Sequence, residues 1–156
     1  MNYSGIIKND FSAAPGVGVT LFVSGCNLHC PGCHNPEAQN FDYGKRYTCD
    51  TTLEIIEALK ANGIKRTFNI MGGDPLAPMN RERVMFIIME IKSALPDTKI
   101  YLWTGYTYEH LQNEIENGIF PETDLNYILS HIDYLIDGPY IHEERDITLH
   151  MRGSRN

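Results

Sequence analysis

Three cysteines packed into one short loop restrict this chain more than any other feature. Cys26, Cys30 and Cys33 stand in a Cys-x-x-x-Cys-x-x-Cys run within residues 25–35, Gly-Cys-Asn-Leu-His-Cys-Pro-Gly-Cys-His-Asn. The run follows residues 17–24, which are rich in β-branched and aromatic side chains and apolar on both faces apart from Thr20 and Ser24. Such a stretch predicts a strand covered on both sides, as in a parallel sheet, with the cysteine loop at its C-terminal end. Three thiolates on one loop can hold a metal centre. Iron-sulfur clusters normally take four Cys thiolates, so three at this spacing suggest a four-iron cluster whose last iron binds a ligand from outside the protein. An iron open in this way can do chemistry on what it binds.

Other uses of the same residues stay open at this level. Cys26, Cys30 and Cys33 with His29 or His34 could make a Cys3His zinc site, although zinc ligands usually come as two pairs separated by a dozen or more residues. Cys49, beyond the loop, reads as a buried or half-buried thiol; as a fourth cluster ligand it would make the protein a simple electron carrier. Residues 1–10 show no basic segment followed by an apolar core, so nothing marks a secretory signal. The expected compartment is the cytoplasm, where cysteines stay reduced.

The 156 residues read as one domain spanning 1–156. Thirteen basic against 20 acidic side chains give a formal charge of -7, which argues against a broad nucleic-acid surface built on Lys and Arg. No apolar stretch approaches bilayer length, so no membrane partner is expected.

Along the chain, residues 1–16 read as a short leading strand and a turn. Thr51 and Glu54 have capping-box spacing ahead of a helix that Gly63 ends. Residues 67–71 form a second strand that runs into Gly72-Gly73-Asp74-Pro75, where the absence of Cβ atoms would let a ligand lie against the backbone. In residues 80–94, Val84, Ile87, Ile88 and Ile91 recur at helical spacing, and Met85, Phe86 and Met89 widen the stripe, as in a deeply buried helix. Residues 99–103 form a third strand ending in Thr104-Gly105, and Thr107 caps a helix running to Glu116. Residues 120–130 read as a turn and short helix, and residues 131–136 as a fourth strand ending in Asp137-Gly138. His110, His131, His142 and His150 read as surface or satisfied residues rather than ligands, and the arginines of the tail could pair with a carboxylate or a partner protein, with solvated surface the default. Strand alternating with helix implies an α/β fold of parallel strands joined by right-handed crossovers. Ligands bind such sheets at the edge where the strands end, so the segments at Gly25-Cys26, Gly72-Gly73, Thr104-Gly105 and Asp137-Gly138 should converge on one pocket.

The cysteine spacing resembles the identifying motif of the radical S-adenosylmethionine (radical SAM) superfamily. Within it, the chain is similar over nearly its whole length to the organic radical-activating family that serves anaerobic ribonucleoside-triphosphate reductase. The matching segments are Asn-Asp-Phe, Leu-Phe-Val-Ser-Gly-Cys-Asn-Leu-His-Cys-Pro-Gly-Cys-His-Asn, Gly-Gly-Asp-Pro-Leu, Leu-Trp-Thr-Gly-Tyr, Leu-Ile-Asp-Gly-Pro-Tyr and Arg-Gly-Ser-Arg-Asn. The resemblance implies a single-domain, open, partial β/α barrel. It implies a [4Fe-4S] cluster on Cys26, Cys30 and Cys33, and S-adenosyl-L-methionine held by Gly32, Cys33 and His34 and by Gly72, Gly73 and Asp74. In this family reductive cleavage of that cofactor gives methionine and a 5'-deoxyadenosyl radical, which takes a hydrogen atom from a glycine of the reductase's large subunit. With four cysteines the chain has no room for a second cluster, so an external low-potential reductant such as a flavodoxin is expected.

Two positions depart from the family pattern: Gly32 replaces a common aromatic residue that touches adenine, leaving His34 as a substitute, and Asp74 replaces a commoner Glu. Two other functions stay alive. One is activation of another glycyl radical enzyme such as pyruvate formate-lyase, or radical chemistry on a small molecule. The other is a non-catalytic iron-sulfur or zinc module.

Overall fold

The computed structural model describes residues 1–118 and 123–156. Strand β1 (Asn2–Asp10) turns into β2 (Gly18–Val23). Residues 11–17 are too few for the crossover a parallel pair needs, and the two strands pair antiparallel, Ile6 opposite Leu21 and Asp10 opposite Gly18. The turn is pinned from inside: the Asp10 carboxylate accepts from Ser12 N–H at 2.8 Å and from Thr20 Oγ1 at 2.5 Å. After the cysteine loop a two-residue strand, β3 (Lys45–Arg46), lies antiparallel to β1. The chain then runs through α1 (Cys49–Lys60), β4 (Thr67–Gly72), α2 (Pro78–Ala94), β5 (Ile100–Trp103), α3 (Tyr108–Asn117), α4 (Thr123–His131) and β6 (Tyr134–Ile136).

The sheet order is β3-β1-β2-β4-β5-β6. The expected wholly parallel sheet is therefore corrected to a mixed one of six strands. Its parallel part is the expected set of four strands, β2, β4, β5 and β6, in sequential order. This order places all four C-terminal ends on one edge.

One face of those strands makes the core. Val19, Leu21, Phe68, Ile70, Ile100 and Leu102 are fully buried in a single cluster with residues of all four helices, among them Ile55, Ile88, Leu111 and Leu125. Helix α2 turns Val84, Ile87, Ile88 and Ile91 into this cluster but leaves Phe86 and Met89 each 40% exposed, so the expected deep burial of its widened stripe is not found.

Helix α1 also differs from expectation. Its N-cap is Thr48, whose N–H donates to Thr51 Oγ1 at 3.2 Å, and the N–H groups of Thr51 and Thr52 already reach back to the Thr48 carbonyl. The cap thus falls three residues, about one turn, before the expected one. Cys49 is its first residue and is exposed. His131 ends α4 rather than opening β6. Of the expected turn and helix at 120–130, residues 120–122 lie outside the described residues. Among the described residues no helix is long and apolar enough to cross a membrane.

Candidate metal centre and cofactor pocket

Where β2 ends, Gly25 takes a φ of +98° and turns the chain outward. The resulting loop is closed at its base, Gly25 N–H donating to Ala38 O at 2.7 Å and Cys26 N–H to Gln39 O at 3.1 Å. A 3-10 turn, Pro36–Gln39, completes that base; Asn35 Oδ1 caps it by accepting from Ala38 N–H at 3.4 Å. Asn35 thus bonds its own local backbone, as Asn before Pro commonly does.

The Gly-Gly turn after β4 locks onto this base. Gly73 N–H donates to Val23 O at 2.7 Å, and Asp74 N–H to Gly25 O at 2.8 Å. A Cβ on Gly73 would stand 2.5 Å from Gly25 O and 2.7 Å from Ala38 O; one on Gly72, whose φ is +118°, would stand 2.5 Å from Val23 O. The paired glycines therefore admit the protein's own cysteine loop at these positions, while both also line the cavity beside it.

Asp74 is 1% exposed. Its carboxylate accepts from Leu76 N–H at 2.8 Å, Thr104 Oγ1 at 2.9 Å and Gly105 N–H at 2.9 Å, tying the end of β4 to the end of β5. Burial pushes this carboxyl above its ordinary range, against the pull of those donors and of Arg81. Asn80, at the start of α2, escaped the sequence reading. It is buried, and its Nδ2 donates to the carbonyls of Ser24, Gly25 and Asp74 at 3.1, 3.3 and 2.9 Å. An amide in the first turn of an apolar helix carries no local signal of such a clamp.

These elements surround a cavity of about 800 Å³. Cys26, Cys30 and Cys33 line it together with Gly32, His34, Gly72, Gly73, Asp74 and Gly105. Every expected metal and cofactor residue is thus brought to one place. Three of the four strand-end segments meet there; the fourth, Asp137-Gly138, lines an adjoining cavity of about 450 Å³ that shares Trp103. Cys49 lies elsewhere, in a depression between α1 and α2 that shares no residue with the cysteine cavity.

The C-terminal segment forms the remaining wall through Tyr140, His142, Arg145, Ile147 and Gly153. It is pinned across the sheet edge by Trp103 Nε1, which donates to Met151 O at 2.7 Å. Asp146 braces it internally, accepting from Arg155 Nε at 3.0 Å. The reading of this tail as plain surface is corrected. His142 also has neighbours: its Nδ1 lies 3.3 Å from Tyr140 Oη, and a Cβ placed on Gly32 (φ +71°) would come within 2.5 Å of that nitrogen. The tail thus closes on the cysteine loop at the position where an aromatic residue is commoner. Gly32→Phe is expected to expel His142 and to add about 1–2 kcal/mol of left-handed strain. Trypsin cleavage at the tail arginines, followed by mass spectrometry, should then run about tenfold faster than in the parent.

The donor set suits iron and sulfide. All three thiols are free and half-buried, and thiolate is the ligand that selects such clusters. Cys26 Sγ accepts from Leu28 N–H at 3.5 Å. Burial pushes the Cys26 thiol up, the Leu28 N–H pulls it back, and the Asp74 carboxylate adds to the rise. What would make a thiolate here is a bound cationic centre. Among the described residues no three His, Cys, Asp or Glu side chains converge as a single ion would need, and His29 instead meets Gln39 Oε1 at 2.9 Å. A polynuclear cluster asks less convergence, since each thiolate binds its own iron.

Comparison with known proteins points the same way. The family model described as "4Fe-4S single cluster domain" matches residues 13–156. Over its full length the chain is 38% identical to the anaerobic ribonucleoside-triphosphate reductase-activating protein of Vibrio cholerae, covering 95% of it. The protein of the same name from Escherichia coli K12 is 34% identical over the full chain, with 96% of its length covered. That from Enterobacteria phage T4 is 36% identical over 90% of this chain and 81% of its own.

Proposed function

Because the chain belongs to the 4Fe-4S single-cluster family of anaerobic ribonucleoside-triphosphate reductase-activating proteins, we propose that it activates such a reductase by generating a glycyl radical on the large subunit. Three half-buried thiols line one cavity at the C-terminal edge of four parallel strands, with the fourth cysteine elsewhere; this observation carries the reading. In it the four parallel strands form the wall of an open, partial β/α barrel. Cys26, Cys30 and Cys33 would hold a [4Fe-4S] cluster and leave one iron for S-adenosyl-L-methionine. When bound, the pair supplies a one-electron reductive cleavage that yields methionine and a 5'-deoxyadenosyl radical able to take the glycine α-hydrogen.

The protein's own residues bind, orient and exclude water. Gly32, Cys33 and His34 form one side of the cofactor site and Gly72-Gly73 the other. Because the N–H groups of Gly73 and Asp74 are committed to Val23 and Gly25, what this turn offers is the Gly73 carbonyl, an acceptor suited to the N–H bonds of the cofactor's amino group. The Asp74 carboxylate, occupied by three donors, acts by holding the β5 end in place. Half-buried Trp103 supplies apolar wall against water, which a reactive radical demands. Correct placement of one glycine Cα does the rest. With its remaining cysteine outside the cavity, the chain takes its electron from an external low-potential donor of the flavodoxin kind.

Mixing the reconstituted protein with S-adenosyl-L-methionine, reductant and the large reductase subunit should give the doublet EPR signal of a glycyl radical. A doublet formed with pyruvate formate-lyase but not with the reductase would contradict the assignment.

A further inference from the structure

We infer that Arg145, on the C-terminal segment, receives the carboxylate of the S-adenosyl-L-methionine methionyl group, which makes the tail part of the cofactor site. The inference rests on the proposed function and adds to it a residue that neither the cysteine motif nor the Gly-Gly turn contains.

Among the described residues, Arg145 is the only Lys or Arg that lines the cysteine cavity. The other ionisable groups there are three thiols, His34, His142, Tyr140 and Asp74, in a chain of formal charge -7. A carboxylate entering this cavity finds a single cation. Among the described residues the Arg145 guanidinium makes no hydrogen bond or ion pair, whereas the other tail arginines are engaged: Arg155 reaches Asp146 Oδ2 at 2.9 Å and Arg152 the Asn156 carbonyl at 3.4 Å. Asp146, next to it in the chain, is already taken by Arg155 and by Thr148, whose N–H donates at 2.9 Å, and among the described residues neither Glu143 nor Glu144 forms an ion pair with it. The tail's internal bonding thus leaves Arg145 available.

Its base is also fixed. Arg145 N–H donates to His142 O at 3.2 Å, and the residue bridges to Ser154. Trp103 anchors the same segment through Met151. A planar guanidinium on a braced backbone can meet a carboxylate with two parallel hydrogen bonds. The division of labour then covers both groups of the amino acid: an acceptor at Gly73 for its amino N–H bonds, and a cation at Arg145 for its carboxylate.

The test uses the full chain carrying its oxidised cluster, so that binding is read without cleavage. Iron and sulfide content of Arg145→Met and Arg145→Lys should match the parent. Anaerobic equilibrium dialysis then compares labelled S-adenosyl-L-methionine with decarboxylated S-adenosylmethionine. The expected result is that Arg145→Met loses about tenfold or more in affinity for the first ligand. Arg145→Lys should recover part of that loss, and the decarboxylated ligand should bind parent and Met variant alike. Retention of the carboxylated ligand within about twofold in Arg145→Met, or equal loss of both ligands, would overturn the inference. So would unchanged cofactor affinity with weakened capture of the reductase, which would assign Arg145 to the partner. A parent chain that holds neither ligand would instead bring down the cofactor reading, and this inference with it.

Discussion

The Cys30→Ser chain is expected to fold, yet to retain no stable four-iron cluster and to produce 5'-deoxyadenosine at less than about one-hundredth of the parent rate. The expectation follows from ligand count. A centre held by three thiolates has none to spare, and even outer partners of metal ligands are worth about 10–100-fold in affinity or activity. Loss of a direct ligand must exceed that. The fold itself should survive, because Cys30 sits on a loop outside the buried cluster of Leu21, Phe68, Ile88 and their neighbours. Cys49→Ser is the matched control. Its thiol is exposed at the start of α1 and lines a different depression, so cluster content and cleavage should stay at parent level. Anaerobic iron and sulfide analysis with product chromatography checks both variants. Loss of the cluster in Cys49→Ser would mean that the ligand set is wrong.

Gly73→Ala is expected to be nearly as damaging by a different route. The added methyl meets two carbonyl oxygens, at 2.5 Å from Gly25 and 2.7 Å from Ala38, and neither belongs to a flexible side chain. Something in the backbone must move. The bonds placed at risk are Gly73 N–H to Val23, Asp74 N–H to Gly25 and Gly25 N–H to Ala38, which together hold the base of the cysteine loop. Overpacking of this kind typically costs about 1–3 kcal/mol, and loss of buried hydrogen bonds adds about 1–3 kcal/mol for each group left unpaired. Denaturant unfolding should show the destabilisation, and reconstitution should show at least about tenfold weaker cluster retention. Gly63→Ala is the contrast. No heavy atom lies within 4 Å of a Cβ there, so cluster retention should be unaffected even though its φ of +65° strains the turn. Equal cluster loss in both variants would show that the Gly73 contact is not what matters.

The contrast between these positions shows where sequence reasoning reached and where it stopped. The four parallel strands and their loops were legible because hydrophobic pattern and glycine placement are local properties; Cys26, Gly73 and Gly105 do line one cavity. The antiparallel β1 was within reach too, since residues 11–17 cannot make a crossover, but strand type alone does not state direction. The cap of α1 was displaced by one turn because Thr48 and Thr51 are equally good capping residues, and the choice lay in backbone geometry. Phe86 and Met89 carry an apolar pattern that does not say which apolar faces remain uncovered. The tail was opaque for a deeper reason. Its contacts, such as Trp103 to Met151 and Gly32 against His142, join residues far apart in the chain and leave no periodicity behind. Asp74 is intermediate: its place at the pocket was legible, while the engagement of its carboxylate by Thr104 and Gly105 was visible only in three dimensions.

The central claim is that three thiolates hold a four-iron cluster whose remaining iron takes S-adenosyl-L-methionine. The most direct measurement is anaerobic reconstitution with iron and sulfide analysis, followed by quantitation of 5'-deoxyadenosine after adding S-adenosyl-L-methionine and a low-potential reductant. The account predicts about four iron and four sulfide per chain, and nucleoside formation that depends on the cofactor. A single divalent ion per chain, or a full cluster that yields no 5'-deoxyadenosine, would contradict it.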